Sequence, residues 1–301
     1  MALLARGRAG LEAARREVEA AGAPEAVAVA TDVSDAEAVE AAASTVDEEL
    51  GPVDVWVNNA MASVFAPVSR IDADEIRRVT EVTYLGYVNG TLAALERMRA
   101  RDRGTLVFVG SSLALRGIPG QAAYCGAKHA IEGFRDSLRA ELRAENSNVA
   151  LTTVNLPAVN TPQFSWVRNR LPRHPQPMPP IFQPEVAARA VAWAADHAPR
   201  ELDVGLPTLL VRWANRLAPA LLDRYLGATG LDDQQTDEPV GERPDNLDVP
   251  LDDDVDFGAR GRFGERAHDR SGQLWVATHK PGLSVAGAAL AAAAAVLARR
   301  R

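Results

Sequence analysis

Short apolar runs alternate with helical patterns through the first two hundred residues of this chain. The apolar runs predict strands at Ala2–Ala5, Ala26–Ala30, Val53–Val57, Thr105–Val109 and Val149–Val154. The helical patterns lie between and after them, at Leu11–Ala21, Ser34–Leu50 (opened by a capping-box pattern, S-D-A-E), Ala73–Arg101, Lys128–Ala144 and Pro184–Ala195. Such alternation implies right-handed crossovers, and it predicts an α/β fold in which a doubly wound parallel sheet lies between two helical layers. Ligands of such sheets bind at the carboxyl ends of the strands.

A tyrosine and a lysine lie four residues apart where a predicted helix begins. Tyr124 and Lys128 share one helix face at this spacing. A phenol has an ordinary pKa near 10, and a neighbouring ammonium lowers that pKa, so the pair can exchange a proton with a carbonyl or alcohol oxygen. Ser111 follows a strand thirteen residues before Tyr124, and the glycines and proline between them allow the chain to loop back. Ser112 is the alternative for this serine, but the spacing favours Ser111.

The run GSSLALRGIPGQAAYCGAKHAIEGF (Gly110–Phe134) resembles the catalytic block of the short-chain dehydrogenase/reductase family. The resemblance extends over about residues 2–200. It implies a Rossmann-type fold and hydride transfer between a nicotinamide cofactor and a carbonyl/alcohol pair. Tyr124 would be the general acid or base, and Ser111 would orient the substrate oxygen. Lys128 would bind the nicotinamide ribose and tune Tyr124, so that Tyr124 and Lys128 also contact the cofactor.

Further blocks resemble the family's cofactor contacts in the expected order. T-D-V, after the second predicted strand, implies adenine contacts, and N-N-A, after the third, implies a turn beside the cofactor. L-P-A-V-N-T-P, after the fifth, implies contacts with the nicotinamide carboxamide. The residues carried over are Asp32, Val33, Asn59, Ala60, Val159 and Thr161.

The first predicted strand ends at an arginine, which bears on cofactor choice. Arg6 stands where an acidic residue would bind the free ribose 2′-hydroxyl of NAD, and no Asp or Glu occurs before Glu12. An arginine at this position accommodates a 2′-phosphate. We therefore predict NADP, with NAD the less favoured cofactor. Arg8 is equally available, and the alternative is that Arg6 is a solvated loop charge.

The family's first strand and its Gly-rich phosphate turn, T-G-x-x-x-G-x-G, have no counterpart in this sequence. Loss of that central strand would leave two unpaired sheet edges. We hypothesise that the natural product begins upstream of Met1. The alternative is a truncated or catalytically impaired relative that acts through binding or membrane association. Thr83 also departs from the family, because an active-site Asn usually stands there.

The net charge of −7 comes from one stretch of the chain. Residues 231–256 contain eleven carboxylates and one basic residue, Arg243, whereas the remainder is slightly basic. A nucleic-acid binder would show a basic face, so we predict no nucleic-acid partner, and we predict no metal site. The Pro- and aromatic-rich residues 162–183 are interpreted as a substrate lid or as a packed surface loop. A lid of this composition favours a small, apolar substrate.

Apolar periodicity is lost after about residue 230. We therefore divide the chain into a Rossmann-type domain at 1–230, an acidic irregular tail at 231–280, extended or disordered, and an Ala-rich apolar segment at 281–301. The last segment contacts a membrane or forms an Ala-rich helix on the domain or in solvent. A single cysteine, Cys125, fits a cytoplasmic protein, membrane-associated only if 281–301 anchors it. The resemblance implies a homo-oligomer.

Overall fold

The structure of the protein, a computed structural model, describes residues 1–279. The strands are β1 (Ala2–Ala5), β2 (Val27–Ala30), β3 (Val55–Asn58), β4 (Val64–Phe65), β5 (Thr105–Ser111), β6 (Ala150–Leu156), β7 (Ala158–Val159), β8 (Arg168–Asn169), β9 (Arg173–Pro175), β10 (Ile181–Phe182), β11 (Glu201–Asp203), β12 (Gln235–Pro239) and β13 (Ala267–His268). The helices are α1 (Arg8–Ala20), α2 (Ala36–Leu50), α3 (Ala73–Thr80), α4 (Gly86–Arg101), α5 (Ala122–Ala144), α6 (Gln163–Trp166), α7 (Pro184–His197), α8 (Gly205–Leu217) and α9 (Pro219–Thr229).

A four-stranded parallel sheet in the order β11-β6-β5-β3 forms the centre of the fold. One of its two inner strands, β5, is buried on both faces. Leu106 and Phe108 point into one apolar cluster, and Val107 points into another. The first cluster is formed with α4 and α5, and the second with α7. Helices therefore cover both faces of the sheet, and the predicted Rossmann-type α/β fold is confirmed.

A separate parallel pair, β1 with β2, lies outside this sheet. Within residues 1–279 no strand pairing joins β1 to β3. The outer strand β3 leaves Val55 and Val57 at 40% and 41% exposure, high values for valines of a central Rossmann strand. The expected interruption of the sheet, with an open edge on β3 and another on β1, is present. The two parts are joined instead by α2, which packs against α4.

Helix α2 begins one residue later than its sequence pattern predicts. Asp35 is the N-cap, and its carboxylate accepts hydrogen bonds from the backbone N–H groups of Glu37 (2.9 Å) and Ala38 (3.1 Å). The prediction that Ser34 opens a capping box is therefore wrong. Ser34 donates its hydroxyl to Asp32 at 2.7 Å, because Asp32 is the nearer acceptor in the turn after β2.

The acidic residues after 230 are irregular for the most part, but they pack against the α/β core. Strand β12 pairs antiparallel with β9, and Gln234 and Leu247 are each 1% exposed. Phe263 packs edge-on against Phe164 of the Pro-rich residues 162–183. A few uncharged side chains therefore anchor this stretch to the core, although its acidic composition predicts an extended or disordered tail.

The Ala-rich segment 281–301, for which a membrane contact and an Ala-rich helix are the alternatives, lies outside the described residues. Among residues 1–279 no helix has both the length and the apolar character to cross a bilayer.

Candidate active site

The catalytic side chains predicted from sequence meet at the carboxyl end of β5. Ser111 is the last residue of that strand, and its Oγ accepts a hydrogen bond from the backbone N–H of Leu113 at 3.1 Å. The chain returns through a turn at Gly120, whose φ of 82° suits glycine, and Gln121 pairs with Ala66 before α5 begins. This return places Tyr124, on the first turn of α5, beside Ser111.

Lys128 lies one turn further along α5, and it is only 2% exposed. Its Nζ donates to the hydroxyl of Tyr87 at 2.9 Å and to the carbonyl oxygen of Val109 at 2.8 Å. The same nitrogen lies 5.7 Å from the ring centroid of Tyr124. Burial lowers the pKa of Lys128 to about 7, against a small opposing effect of Glu132. The ammonium therefore loses its proton far more readily than a lysine in water.

Tyr87 was not predicted as a partner of this lysine. Tyr87 is 1% exposed in α4, and its hydroxyl donates to the carbonyl oxygen of Val109 at 2.9 Å. Burial raises the pKa of Tyr87 well above its ordinary value, so its hydroxyl is a neutral acceptor for Lys128. Only its position one turn after Thr83, on the same predicted helix, could have suggested this role.

The phenol of Tyr124 is in its acidic, protonated form in this site. Burial raises the pKa of Tyr124, and the neighbouring Ser111 hydroxyl opposes the rise. The arrangement suits proton donation to an oxygen atom placed between Ser111 and Tyr124. It suits proton abstraction less well until the phenolate is stabilised.

Thr83 lies on a single π-helical turn, Glu81–Leu85, that interrupts the helical run from Ala73 to Arg101. Such turns are frequent at functional sites. The Thr83 hydroxyl donates to the carbonyl oxygen of Ala62 and accepts from its N–H, both at 2.9 Å. Both capacities of the hydroxyl are thus used to fix the chain after β3. Thr83 therefore acts here as a clamp on the N-N-A turn.

The residues after β2 form a polar cluster around Asp32. Its carboxylate accepts from Ser34 and forms an ion pair with Arg78 at 2.5 Å. Burial alone would raise the pKa of Asp32, but the bonds from Arg78 and Ser34 lower it below its usual value. Val33 packs against Gly86, where a Cβ would lie 2.6 Å from a methyl group of Val33. Arg78 was not predicted from the sequence, because it lies 46 residues from Asp32.

The N-N-A turn divides its asparagines between two environments. Asn58 is buried, accepts from the indole N–H of Trp56 at 3.1 Å and donates to Thr91 at 3.0 Å. Asn59 is exposed and Ala60 is partly exposed, so both remain accessible at the edge of the site. The turn is held from inside by Asn58, and the two residues predicted to contact the cofactor face outward.

The predicted nicotinamide contacts, Val159 and Thr161, flank a buried asparagine. Val159 belongs to β7, which pairs with β10, and Thr161 donates its N–H back to the carbonyl oxygen of Val159 at 3.0 Å. Between them, the Asn160 side chain donates to Gln183 at 3.0 Å and accepts from the N–H of Phe263 at 3.0 Å. This anchor was missed because Phe263 is 103 residues distant.

Arg6 lies at the end of β1, half-buried, where the sequence places the adenosine end of a dinucleotide. Its guanidinium donates to backbone carbonyl oxygens of Asn246, Leu247 (3.2 Å) and Asp248 (3.2 Å). Gly7 and Gly10 follow, and a Cβ at either would collide with the carboxylate of Asp252. Arg6 and the two glycines thus form a cradle, in which the guanidinium binds three carbonyl oxygens and the glycines leave room for the Asp252 carboxylate. Donors of this kind suit the anionic phosphate groups of a nicotinamide dinucleotide.

A sequence model of the family described as short chain dehydrogenase matches residues 1–171. The chain is 30% identical over 226 residues to an uncharacterized oxidoreductase, YxnA, of Bacillus subtilis. That alignment covers 74% of this chain and 63% of the relative, so the chain spans less than two thirds of the relative's length.

Solved structures share the fold. A short-chain dehydrogenase from Streptomyces avermitilis superposes with a TM-score of 0.60, at 23% identity, over 75% of this chain and 88% of that one. An alcohol dehydrogenase from the archaeon Thermococcus sibiricus, complexed with 5-hydroxy-NADP, gives a TM-score of 0.56 at 27% identity. It covers 67% of this chain and 84% of that chain. With the family match extending over more than half of its residues, the chain belongs to the short-chain dehydrogenase family.

Proposed function

We propose that the protein is an NADP(H)-linked oxidoreductase that interconverts a ketone or aldehyde with an alcohol. The observation that carries this proposal is the juxtaposition of Ser111, Tyr124 and Lys128 at the end of β5. The cofactor supplies or accepts the hydride when it is bound. Arg6, Asn59, Ala60, Val159 and Thr161 would hold it, along with Asp32, Val33, Tyr124 and Lys128.

The chain's own residues move the proton. Tyr124 donates its phenolic proton to the carbonyl oxygen during reduction, and the Ser111 hydroxyl donates a hydrogen bond to the same oxygen. The charge of Lys128 stabilises the phenolate that results, since its Nζ lies 5.7 Å from the centre of the Tyr124 ring. Because burial raises the pKa of Tyr124, the phenol is protonated at neutral pH, which favours the reductive direction.

The choice of NADP rests on charge at the end of β1. Arg6 and Arg8 bracket Gly7, and no carboxylate of the first eleven residues could bind a free ribose 2′-hydroxyl. The Thermococcus sibiricus relative was solved with an NADP derivative. We expect Arg6→Ala to raise the Kd of NADPH more than that of NADH, whereas Arg16→Ala, on the exposed face of α1, changes neither.

The substrate proposed is a small, apolar carbonyl compound or alcohol. Residues 162–183 follow β7 directly and carry Phe164, Leu171 and Ile181 in an apolar cluster with Phe65. Phe65 precedes Ala66, which pairs with Gln121 just before α5, so the cluster makes the surroundings of that helix start apolar. A panel of ketones of increasing chain length, assayed by NADPH absorbance, tests the class, since turnover confined to polar sugars would contradict it.

Tyr124→Phe tests the catalytic assignment. We expect the variant to bind NADPH with unchanged affinity and to lose turnover by about 10²–10⁴-fold, because only the exchangeable proton is removed. Tyr225→Phe is the matched control, since Tyr225 is 56% exposed on α9. Turnover that survives in Tyr124→Phe would refute the assignment.

A second candidate is a binding protein that has lost catalysis. The open edge of β3 and the engagement of Arg6 by residues 246–248 both favour it. The two candidates differ in one measurement, because only the oxidoreductase oxidises NADPH stoichiometrically with ketone reduction.

A further inference from the structure

Residues 245–254, here called the inserted segment, run through the cradle at the end of β1. Three successive backbone carbonyl oxygens, of residues 246, 247 and 248, accept hydrogen bonds from the Arg6 guanidinium. A 2′-phosphate would present its oxygen atoms to the same donors. The donors that we assign to cofactor choice are therefore engaged by the protein itself.

The inserted segment also covers the beginning of α1. The N–H groups of the first turn of a helix lack partners within the helix and attract anions. Here the N–H of Arg8 donates to the Asp253 carboxylate at 3.1 Å. The N–H groups of Ala9 and Gly10 donate to the carbonyl oxygens of Asp253 (3.2 Å) and Asp252 (3.1 Å). The Asp252 carboxylate lies where a Cβ of Gly10 would be 2.7 Å from its Oδ2.

Leu247 anchors the segment between the two halves of the site. It is 1% exposed and belongs to one apolar cluster with Ala62, Val33 and Tyr124. Its carbonyl oxygen also accepts from Nε of Arg78, the residue that pairs with Asp32. The side chain thus belongs to the same apolar cluster as Val33, an expected adenine contact, and Tyr124.

Ion pairs hold the N-terminal end of the segment. Arg168 of β8 binds Asp245 at 2.9 Å and Asp248 at 2.7 Å. Three contacts therefore hold this ten-residue segment: the ion pairs with Arg168, the buried side chain of Leu247 and the hydrogen bonds to the start of α1. Its carboxylates and carbonyl groups occupy the positions that suit the phosphates and ribose of a dinucleotide.

We infer that the inserted segment is an internal ligand of the cofactor site, whose docking and the binding of NADP(H) exclude each other. This inference rests on the proposed function. While the segment is docked, Arg6, the first turn of α1 and the pocket of Leu247 are closed to the cofactor. The apparent Kd of NADP(H) then equals the intrinsic Kd divided by the fraction of molecules in which the segment has left its site.

Two sets of variants of the full chain test this exclusion by NADPH binding, measured calorimetrically. Leu247→Ala removes the apolar anchor, and the pair Asp252→Ala with Asp253→Ala removes the carboxylates at α1. The control pair, Asp254→Ala with Asp256→Ala, removes the same charge from exposed positions of the same run. Both test variants should lower the Kd of NADPH about tenfold or more, and the control pair should leave it unchanged.

Hydrogen exchange supplies a readout that does not depend on affinity. NADPH should speed amide exchange across residues 245–254 of the wild-type chain, because the segment leaves its site. Slower exchange would show that the segment closes over the cofactor, and would overturn the inference. Equal or weaker binding by the test variants would overturn it too, with the proposed function intact. Absence of NADPH binding in every variant would refute the proposed function and this inference together.

Discussion

Lys128 should titrate near neutral pH. It is buried to 2% exposure, its hydrogen-bond partners are the neutral Tyr87 hydroxyl and Val109 carbonyl, and its pKa is lowered to about 7. Tyr124 and Glu132 are the other titratable groups that face or influence it. In the unfolded chain the same amine has an ordinary pKa near 10.4. Folding therefore expels a proton from Lys128 at every pH between these two values.

The sign and size of the effect on stability follow from this difference. Between pH 7 and 10 the unfolded chain binds one more proton at Lys128 than the folded chain, so stability rises with pH. The limiting slope is about 1.4 kcal/mol per pH unit. From pH 7 to pH 9 the wild-type protein should gain about 2 kcal/mol relative to Lys128→Met, whose methionine fills the same space without a proton to lose.

Urea unfolding at pH 6, 7, 8 and 9 measures this difference directly. The sequence contains two lysines, Lys128 and Lys280, so a chain with ¹³C-labelled lysine gives two side-chain signals. Lys280→Gln leaves the signal of Lys128 alone, and its midpoint should fall near pH 7. A midpoint above pH 10, with parallel stability curves for wild type and Lys128→Met, would refute the reasoning.

Three further predictions concern stability and reactivity. Arg135→Ala should cost about 3 kcal/mol in urea unfolding, because loss of the 3% exposed guanidinium leaves the partly buried Glu132 without its cation, whereas Glu201 keeps Arg212. Asp35→Ala should cost about 1 kcal/mol, since two N–H groups of α2 lose their acceptor. Cys125, whose thiol pKa is raised by burial, should resist a disulfide reagent at pH 8 in the native protein and react at once in urea.

A control or a contradicting result is available for each of these three predictions. Loss of less than about 1 kcal/mol in Arg135→Ala would show that the buried cation is dispensable. Glu48→Ala, at an exposed position in the last turn of α2, is a control for Asp35→Ala because it removes a carboxylate without uncapping the start of the helix. Rapid labelling of native Cys125 would mean that α5 opens on the time scale of the assay.

Periodicity and short blocks predicted the parts of the molecule that depend on neighbours in sequence. Most strands and helices of the central fold were located within about three residues, since apolar alternation and helical spacing reflect burial on one face. Helix α5 is the exception, because it begins at Ala122, six residues before the predicted start at Lys128. Ser111, Tyr124 and Lys128 were found together because a strand end and a helix start bring them together over seventeen residues. The capping residue of α2 was misplaced by one position, because Ser34 and Asp35 are both good caps and only tertiary contacts decide between them.

Contacts over long sequence separations left no such pattern. Leu247 and Arg6 are 241 residues apart, and nothing in an acidic, Pro-containing run indicates that one leucine is buried in the apolar cluster against which Tyr124 packs. The same holds for Tyr87, whose role depends on how α4 and α5 pack around β5. Charge and proline content predict whether a segment forms regular structure, but they do not predict where a few apolar side chains dock it.

The open edge of β3 has a consequence for the protein in solution. An edge strand with free N–H and C=O groups is a template for pairing with extended segments of other molecules, and Val55 and Val57 add apolar surface there. Proteins usually protect such edges with charge or a covering element. Arg101 and Arg103, which both bind Asp54, place cations at the start of this strand only. We therefore expect self-association through β3 to increase with protein concentration.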